Sequence, residues 1–153
     1  MTTLEDRPTE TQLVFPALGP LYARFSPYTY GFMRFCLGAA LAPHGFYKLF
    51  LGTAPVSTMV KLGLMPPVWW AYLVGCTEFF GGILLALGLF TRFAALAIAI
   101  EMTVTTFVLQ WPNGYFWTGK GFEFPLLIWL FCIAIFFRGG GRYSLDHKIG
   151  KEL

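Results

Sequence analysis

Four long apolar runs constrain the fold more than any other feature of this sequence. Crossing a hydrocarbon core of about 30 Å takes about 20 helical residues, and each run is close to that length. The sequence therefore predicts an all-α integral membrane protein built as a four-helix bundle. The predicted helices span about residues 27–51, 67–89, 92–110 and 122–138.

The composition agrees with a membrane protein. Charged residues make up 12% of the 153 residues, whereas soluble domains carry about 25%. The net charge of +3 is small and its basic residues are scattered, so nucleic acid is not a predicted partner. Cys36, Cys76 and Cys132 all lie inside apolar runs without a C-x-x-C motif, which argues against a disulfide framework and against a metal site.

Local signals predict where the helices begin. Ser26 is a suitable cap for the first helix, and Pro27 suits the first helical position, where no backbone hydrogen bond is lost. Thr91 is the predicted N-cap of the third helix. The fourth run is the shortest, so a re-entrant or interfacial helix is an alternative for it.

Basic residues predict the orientation. Four spans place the N-terminal tail (1–26), the second loop and the C-terminal tail (139–153) on one side. The opposite side holds only Lys61 and Lys120, with Lys48 near a helix end. Basic residues concentrate on the cytoplasmic side, so both tails are predicted to be cytoplasmic. The basic residues on their side are Arg7, Arg24, Arg92, Arg138, Arg142, Lys148 and Lys151.

Six ionisable residues lie within or near the predicted spans. Such a group costs roughly 2.5–3.5 kcal/mol at the centre of a span, so each needs a partner. The basic ones lie on the first helix and the acidic ones on the other three. We expect Glu123 to pair with Lys48 or His44 near the outer surface. The six residues are Arg34, His44, Lys48, Glu78, Glu101 and Glu123.

Deeper in the bundle, we expect Arg34 to pair with Glu78 or Glu101. Two interpretations of the six residues stay open. Buried ion pairs can fix the order and register of the helices. Alternatively, the residues surround a polar cavity for a proton, a quinone or another small ligand, because ionisable groups inside membranes are commonly functional.

Seven motifs occur in order along the chain. Together they resemble the DoxX family of four-helix bacterial membrane proteins, and the resemblance extends from about Tyr28 to His147. The motifs are Arg34, His44-Gly45-x-x-Lys48-Leu49, Glu78-Phe79-Phe80-Gly81-Gly82, Leu87-Gly88-Leu89-Phe90-Thr91-Arg92, Glu101-Met102, Gly121-Phe122-Glu123-Phe124-Pro125 and Gly141-Arg142-Tyr143-Ser144-Leu145-Asp146.

The resemblance implies a subunit associated with a membrane oxidoreductase in the bacterial inner membrane. Family members are linked to sulfur-compound oxidation, quinone reduction or oxidative-stress tolerance, so a quinone is the candidate cofactor. His44, Lys48 and Glu123 would supply hydrogen bonds to it, and Arg34 and Glu101 would complete a proton-accessible interior. This chain lacks the cysteine pair of related thiol-based membrane redox proteins, which argues against thiol–disulfide chemistry.

Two other functions are also consistent with the sequence. The chain could be a non-enzymatic accessory subunit of a larger membrane complex. Its regularly spaced glycines and its aromatic loop around Trp111 and Trp117 suit helix–helix docking. A conduit for protons or small solutes would require the chain to oligomerise, because four helices leave little room for a pore. The oligomeric state stays open.

Overall fold

The computed structural model describes residues 13–151, and no strand occurs in that range. A π-helical segment, Val104–Gln110, extends α4 without a break. The parts of the predicted tails at residues 1–12 and 152–153 lie outside the described residues. The helices are α1 (Gly19–Phe50), α2 (Val56–Lys61), α3 (Pro67–Leu87), α4 (Thr91–Thr103), α5 (Glu123–Arg138) and α6 (Leu145–Ile149).

Helix α1 begins at Gly19, so the predicted start at Pro27 with a Ser26 cap is wrong. Pro20 lies in the first turn, where a missing N–H costs no helical hydrogen bond. Pro27 lies inside the helix, where it removes one hydrogen bond without ending the helix. The Ser26 carbonyl accepts a hydrogen bond from Thr29 Oγ1 at 2.8 Å, and the residue behaves as a helix interior position.

The long helices pack side by side, α1 along α3, α3 against α4, and α4 against α5. Glycines allow α1 and α3 to approach at backbone contact. A Cβ atom at Gly45 would lie 2.6 Å from the Gly75 carbonyl oxygen. A Cβ atom at Gly82 would lie 2.9 Å from the Ala42 nitrogen. Small residues are used in this way where packing must drive helix association in lipid.

The outward surface of the helices is strongly apolar. Phe32, Trp69, Phe93 and Phe137 are each more than 60% exposed. Two helical segments, Pro67–Leu87 and Thr91–Asn113, are long and apolar enough to cross a membrane, and only 33% of each apolar window is buried. Soluble monomers rarely expose apolar patches larger than a few hundred Å². This surface is suited to a hydrocarbon environment.

Candidate functional site

A cavity of about 1120 Å³ lies between α1, α3, α4 and α5, and residues of α2 border it. Its walls are mostly apolar, with side chains such as Leu73 and Phe131. Four of the six ionisable residues singled out in the sequence line it, namely His44, Lys48, Glu78 and Glu101. The other two, Arg34 and Glu123, do not.

An ion pair between α1 and α3 forms the polar centre of this cavity. Lys48 Nζ lies 2.6 Å from Glu78 Oε1, and the two side chains are 25% and 7% exposed. The pair is possible because Gly45 and Gly75 bring the two helix backbones together beside it. Lys48 was expected to pair with Glu123, so the structure corrects its partner.

Glu101 approaches the ion pair from α4. Its carboxyl interacts electrostatically with Glu78 and with Lys48. Glu78 Oε2 and Glu101 Oε2 are buried, and neither has a hydrogen-bond partner among the described residues. Lys48 is therefore paired with Glu78, and Glu101 joins the pair through a side-chain hydrogen bond with Glu78.

His44 belongs to the same cavity. It precedes Lys48 by one helical turn, so the two side chains are neighbours on the surface of α1. His44 is exposed, whereas Glu78 is buried. The imidazole therefore lies where the cavity opens to the surroundings of the protein.

The π-helical extension of α4 forms part of the cavity wall. Val104, Thr105 and Gln110 from this segment line the cavity. π-Helical turns are rare and are frequent at functional sites. No pattern in the sequence had predicted a π-helical segment here. Its signal is the run from Thr103 to Thr106, four consecutive β-branched residues, which lose side-chain freedom in a regular helix.

Glu123 orders a loop instead of lining the cavity. It is the first residue of α5, and its Oε2 atom accepts a hydrogen bond from the Trp117 backbone N–H at 3.2 Å. The ring of Phe122, the preceding residue, stacks on Trp111 at 4.5 Å between centroids. Glu123 thus holds the aromatic loop against the start of α5, and the prediction that it pairs with Lys48 or His44 is wrong.

Arg34 caps a helix. The prediction that it pairs with Glu78 or Glu101 is wrong. Arg34 is 2% exposed. Nη1 donates to the carbonyl oxygens of Leu85 and Ala86, the latter at 3.0 Å, and Nη2 donates to the Tyr143 carbonyl at 2.8 Å. A cation is favourable at the carboxyl end of a helix, where carbonyl groups lack helical partners. Arg34 therefore ties α1 to the end of α3 and to the chain after α5.

Asp146 caps the amino end of α4 from 55 residues away. Its carboxylate accepts hydrogen bonds from the Phe90 N–H at 2.7 Å, the Thr91 N–H at 2.9 Å and Thr91 Oγ1 at 2.7 Å. Thr91 was predicted to be the N-cap, but it is the first helical residue and its hydroxyl acts as a donor. This role of Asp146 was not predicted from the sequence, because its partners are distant along the chain.

The residues of these two caps form one cluster, the Arg34–Asp146 network (Arg34, Thr91, Tyr143 and Asp146). Arg34 interacts electrostatically with Asp146. Tyr143 stacks on Tyr28 with ring centroids 4.8 Å apart. A hydrogen bond with Tyr28 raises the pKa of the Tyr143 phenol. The network joins four parts of the chain at the helix ends away from Lys48, and it contributes no side chain to the cavity.

Comparison with known proteins gives one family and two curated relatives. The family model described as DoxX matches residues 31–111. An uncharacterized protein of Haemophilus influenzae is 32% identical over 133 residues, which cover 84% of this chain and 96% of the relative. A second uncharacterized protein of that organism is 32% identical over 68 residues, which cover 44% of this chain and 45% of the relative. No solved structure matches.

Proposed function

The chain belongs to the DoxX family, a membrane-associated family, and we propose that it is a multi-pass protein of the bacterial inner membrane. In this proposal α1, α3, α4 with its π-helical extension, and α5 form a membrane-spanning four-helix bundle. The apolar outward surface supports it, as do the two segments long enough to span a bilayer. Helix α5 has 16 residues, close to the lower limit of about 17 for a span.

We propose that both termini face the cytoplasm, on the basis of the uneven distribution of basic residues. Single cysteines test this orientation in a chain whose three native cysteines are replaced by alanine. A cysteine replacing Lys120 should react with a membrane-impermeant maleimide in spheroplasts. A cysteine replacing Lys148 should react only after the membrane is opened. The reverse pattern, or equal labelling, would exclude the proposed topology.

We further propose that the cavity binds an apolar, quinone-like molecule and that the protein serves as a subunit associated with a membrane oxidoreductase. The observation that carries this proposal is the Lys48–Glu78 ion pair beside Glu101 within mostly apolar walls. Small-molecule sites commonly combine apolar walls with a few convergent polar groups, in volumes of about 300–1,000 Å³. The observed cavity is slightly larger, at about 1120 Å³.

The residues divide by role in this proposal. Lys48, Glu78 and Glu101 fix the polar end of the ligand, and the exposed His44 at the edge of the cavity supplies a further hydrogen bond. Arg34 and Glu123 act only through structure, since their contacts lie outside the cavity.

Purification in a mild detergent, followed by mass spectrometry of the extracted small molecules, tests ligand binding. Ala40 lines the cavity, whereas the neighbouring exposed residue Ala39 does not. We expect a near-stoichiometric quinone with the wild-type protein and with Ala39→Trp, and little with Ala40→Trp. Absence of a quinone from all three, or equal amounts in all three, would contradict the proposed ligand site.

The second candidate function is that of a non-enzymatic accessory subunit. The loop that joins the π-helical segment to α5 favours it, because Trp111, Phe116 and Trp117 are each more than half exposed there. Aromatic side chains are enriched at the cores of protein interfaces. The same purification separates the two functions. A stable complex with other subunits and without a quinone would support the accessory role.

A further inference from the structure

A second recess, of about 410 Å³, lies beyond the end of α5 and shares no lining residue with the cavity. Arg138, Arg142 and Lys151 line it, and each of these side chains carries a permanent positive charge. Asp146 is the acidic residue of its wall, which leaves a net charge of +2, and His147 also borders it. The basic side chains are exposed. The recess is therefore open to an anion from outside the protein.

The carboxylate of Asp146 does not neutralise these basic side chains. It is 4% exposed, and its oxygens accept three hydrogen bonds from Phe90 and Thr91. It also interacts electrostatically with the buried Arg34. The negative charge of Asp146 is thus compensated inside the fold, so the recess keeps most of its positive charge.

A glycine turn brings Arg142 back to the end of α5. The helix ends at Arg138, and Gly139 and Gly141 follow with φ angles of +81° and +71°. Residues with a Cβ atom rarely adopt such angles. The turn places Arg142, four residues after Arg138, on the same recess. Two guanidinium groups thus line one recess, and their forked N–H groups match the oxygens of a phosphate group.

An aromatic ring positions Arg138. Its guanidinium carbon lies 4.5 Å from the centroid of the Tyr30 ring, a distance at which a cation is attracted to the ring face. The Tyr30 hydroxyl donates a hydrogen bond to the Gly139 carbonyl, which fixes the ring against the end of α5. Orientation in a membrane requires an excess of basic residues on one side, but it does not require that one of them be held in place at a recess.

Exposed apolar side chains adjoin the recess. Phe137, next to Arg138, is 73% exposed, and Ile149 in α6 is 60% exposed. In the proposed bundle this end of α5 lies where the hydrocarbon core meets the headgroup layer. A phospholipid presents both a phosphate group and acyl chains at this depth, whereas a free phosphate ion makes no use of apolar neighbours.

We infer that this recess binds the phosphate diester of an anionic phospholipid. The inference rests on the proposed membrane-spanning bundle and is independent of the cavity ligand. The phosphate oxygens accept hydrogen bonds from Arg138 and Arg142, and Lys151 adds positive charge. A zwitterionic phospholipid carries the same phosphate together with an ammonium group, which a net charge of +2 repels. The recess therefore distinguishes headgroups by their net charge.

Titration of the whole chain, purified in an uncharged detergent, with fluorescent lipids tests the inference. The two lipids are a phosphatidylglycerol and a phosphatidylcholine that carry the same labelled acyl chain. Each Lys or Arg near an anionic lipid surface contributes roughly fivefold to binding. We expect the phosphatidylglycerol to bind roughly 10- to 30-fold more tightly than the phosphatidylcholine. Equal binding of the two lipids would overturn the inference.

Two double variants with the same loss of charge locate the effect. Arg142→Gln with Lys151→Gln should reduce the preference to less than about threefold. Lys61→Gln with Lys120→Gln removes two exposed charges that line neither the recess nor the cavity, and should leave the preference unchanged. An equal loss in both would show that the net charge of the protein attracts the lipid, which refutes the recess. Circular dichroism checks helix content; should the recess variant lose it, Arg142→Gln alone provides a second test, with an expected loss of roughly fivefold.

Inorganic phosphate distinguishes a lipid headgroup from a free ion. Millimolar phosphate, compared with chloride at the same ionic strength, should not displace the phosphatidylglycerol. Displacement by phosphate alone would assign the recess to free phosphate and overturn the lipid assignment.

The outcomes also separate this inference from the proposed function. Ala40→Trp, which fills the cavity, should bind the phosphatidylglycerol as the wild-type protein does. Absence of a quinone with the lipid preference intact would refute the cavity ligand alone. A quinone in the cavity without any lipid preference would refute the recess alone. The cysteine labelling described above tests the membrane topology without reference to any lipid.

Discussion

The cap that Asp146 supplies to α4 gives a sharp prediction for stability. Asp146→Ala removes the acceptor of the Phe90 and Thr91 N–H groups and of the Thr91 hydroxyl. Thr91 is completely buried, so water cannot replace the lost acceptor there. We expect this single substitution to destabilise the whole helical assembly, because it acts where the C-terminal segment meets the α3–α4 turn.

The magnitude follows from the groups left without partners. An unsatisfied buried donor costs about 1–3 kcal/mol, and the substitution leaves two N–H groups in that state. Phe90 is 46% exposed, so water recovers part of the cost at its N–H group. The expected decrease in the free energy of unfolding is about 2–5 kcal/mol. Asp146→Asn keeps one acceptor oxygen and should lose about half as much.

Unfolding by a denaturing detergent, followed by circular dichroism in mixed micelles, measures this change. Glu123→Ala is the matched control, because its carboxylate accepts a single hydrogen bond of 3.2 Å in an exposed loop. The control should lose less than about 1 kcal/mol. If Asp146→Ala is no less stable than Glu123→Ala, the cap does not hold α4, and the reasoning is refuted.

Two further predictions concern Gly88 and the ion pair in the cavity. Gly88→Ala would place a Cβ atom 2.6 Å from the Arg34 guanidinium, whereas Gly52→Ala, at a similar φ of +71°, meets no atom within 4 Å. Both variants should lose about 1–2 kcal/mol from backbone strain, and Gly88→Ala should lose measurably more in the same unfolding assay; equal losses would contradict the close contact. Lys48→Met should cost about 3–5 kcal/mol, because it leaves the buried Glu78 carboxylate without its cation. The double variant with Glu78→Met should recover most of that loss, and a double variant as unstable as the single one would show that the pair is not the cause.

The helical class of this protein was accessible from the sequence, because it depends on local properties. The apolar runs recur with turn-forming residues between them, and the described chain is helical in each run. The start of α1 was not accessible in the same way. Ser26 and Pro27 form a good local start signal, yet the seven residues before them, 19–25, also form helix. A start signal therefore does not exclude a helix that has already begun.

The partners of the ionisable residues were less predictable than the residues themselves. Depth along each helix suggested Arg34 with Glu78 or Glu101, but pairing also depends on the rotation of each helix about its axis. The glycine contacts between α1 and α3 place Glu78 beside Lys48. Arg34 instead donates through its Nη atoms to backbone carbonyls, which no pattern of charged residues reveals.

The long sequence separation of the α4 cap has a consequence for biosynthesis. Thr91 and Asp146 are 55 positions apart, and ribosomes add about 5–20 residues per second. Asp146, the acceptor, is therefore synthesised about 3–11 s after Thr91 at the amino end of α4. A chain that stops after α5 would contain every apolar run and still lack this acceptor. The amino end of α4 thus depends on a residue that is made after all four apolar runs, and a membrane protease could recognise chains that stop before Asp146.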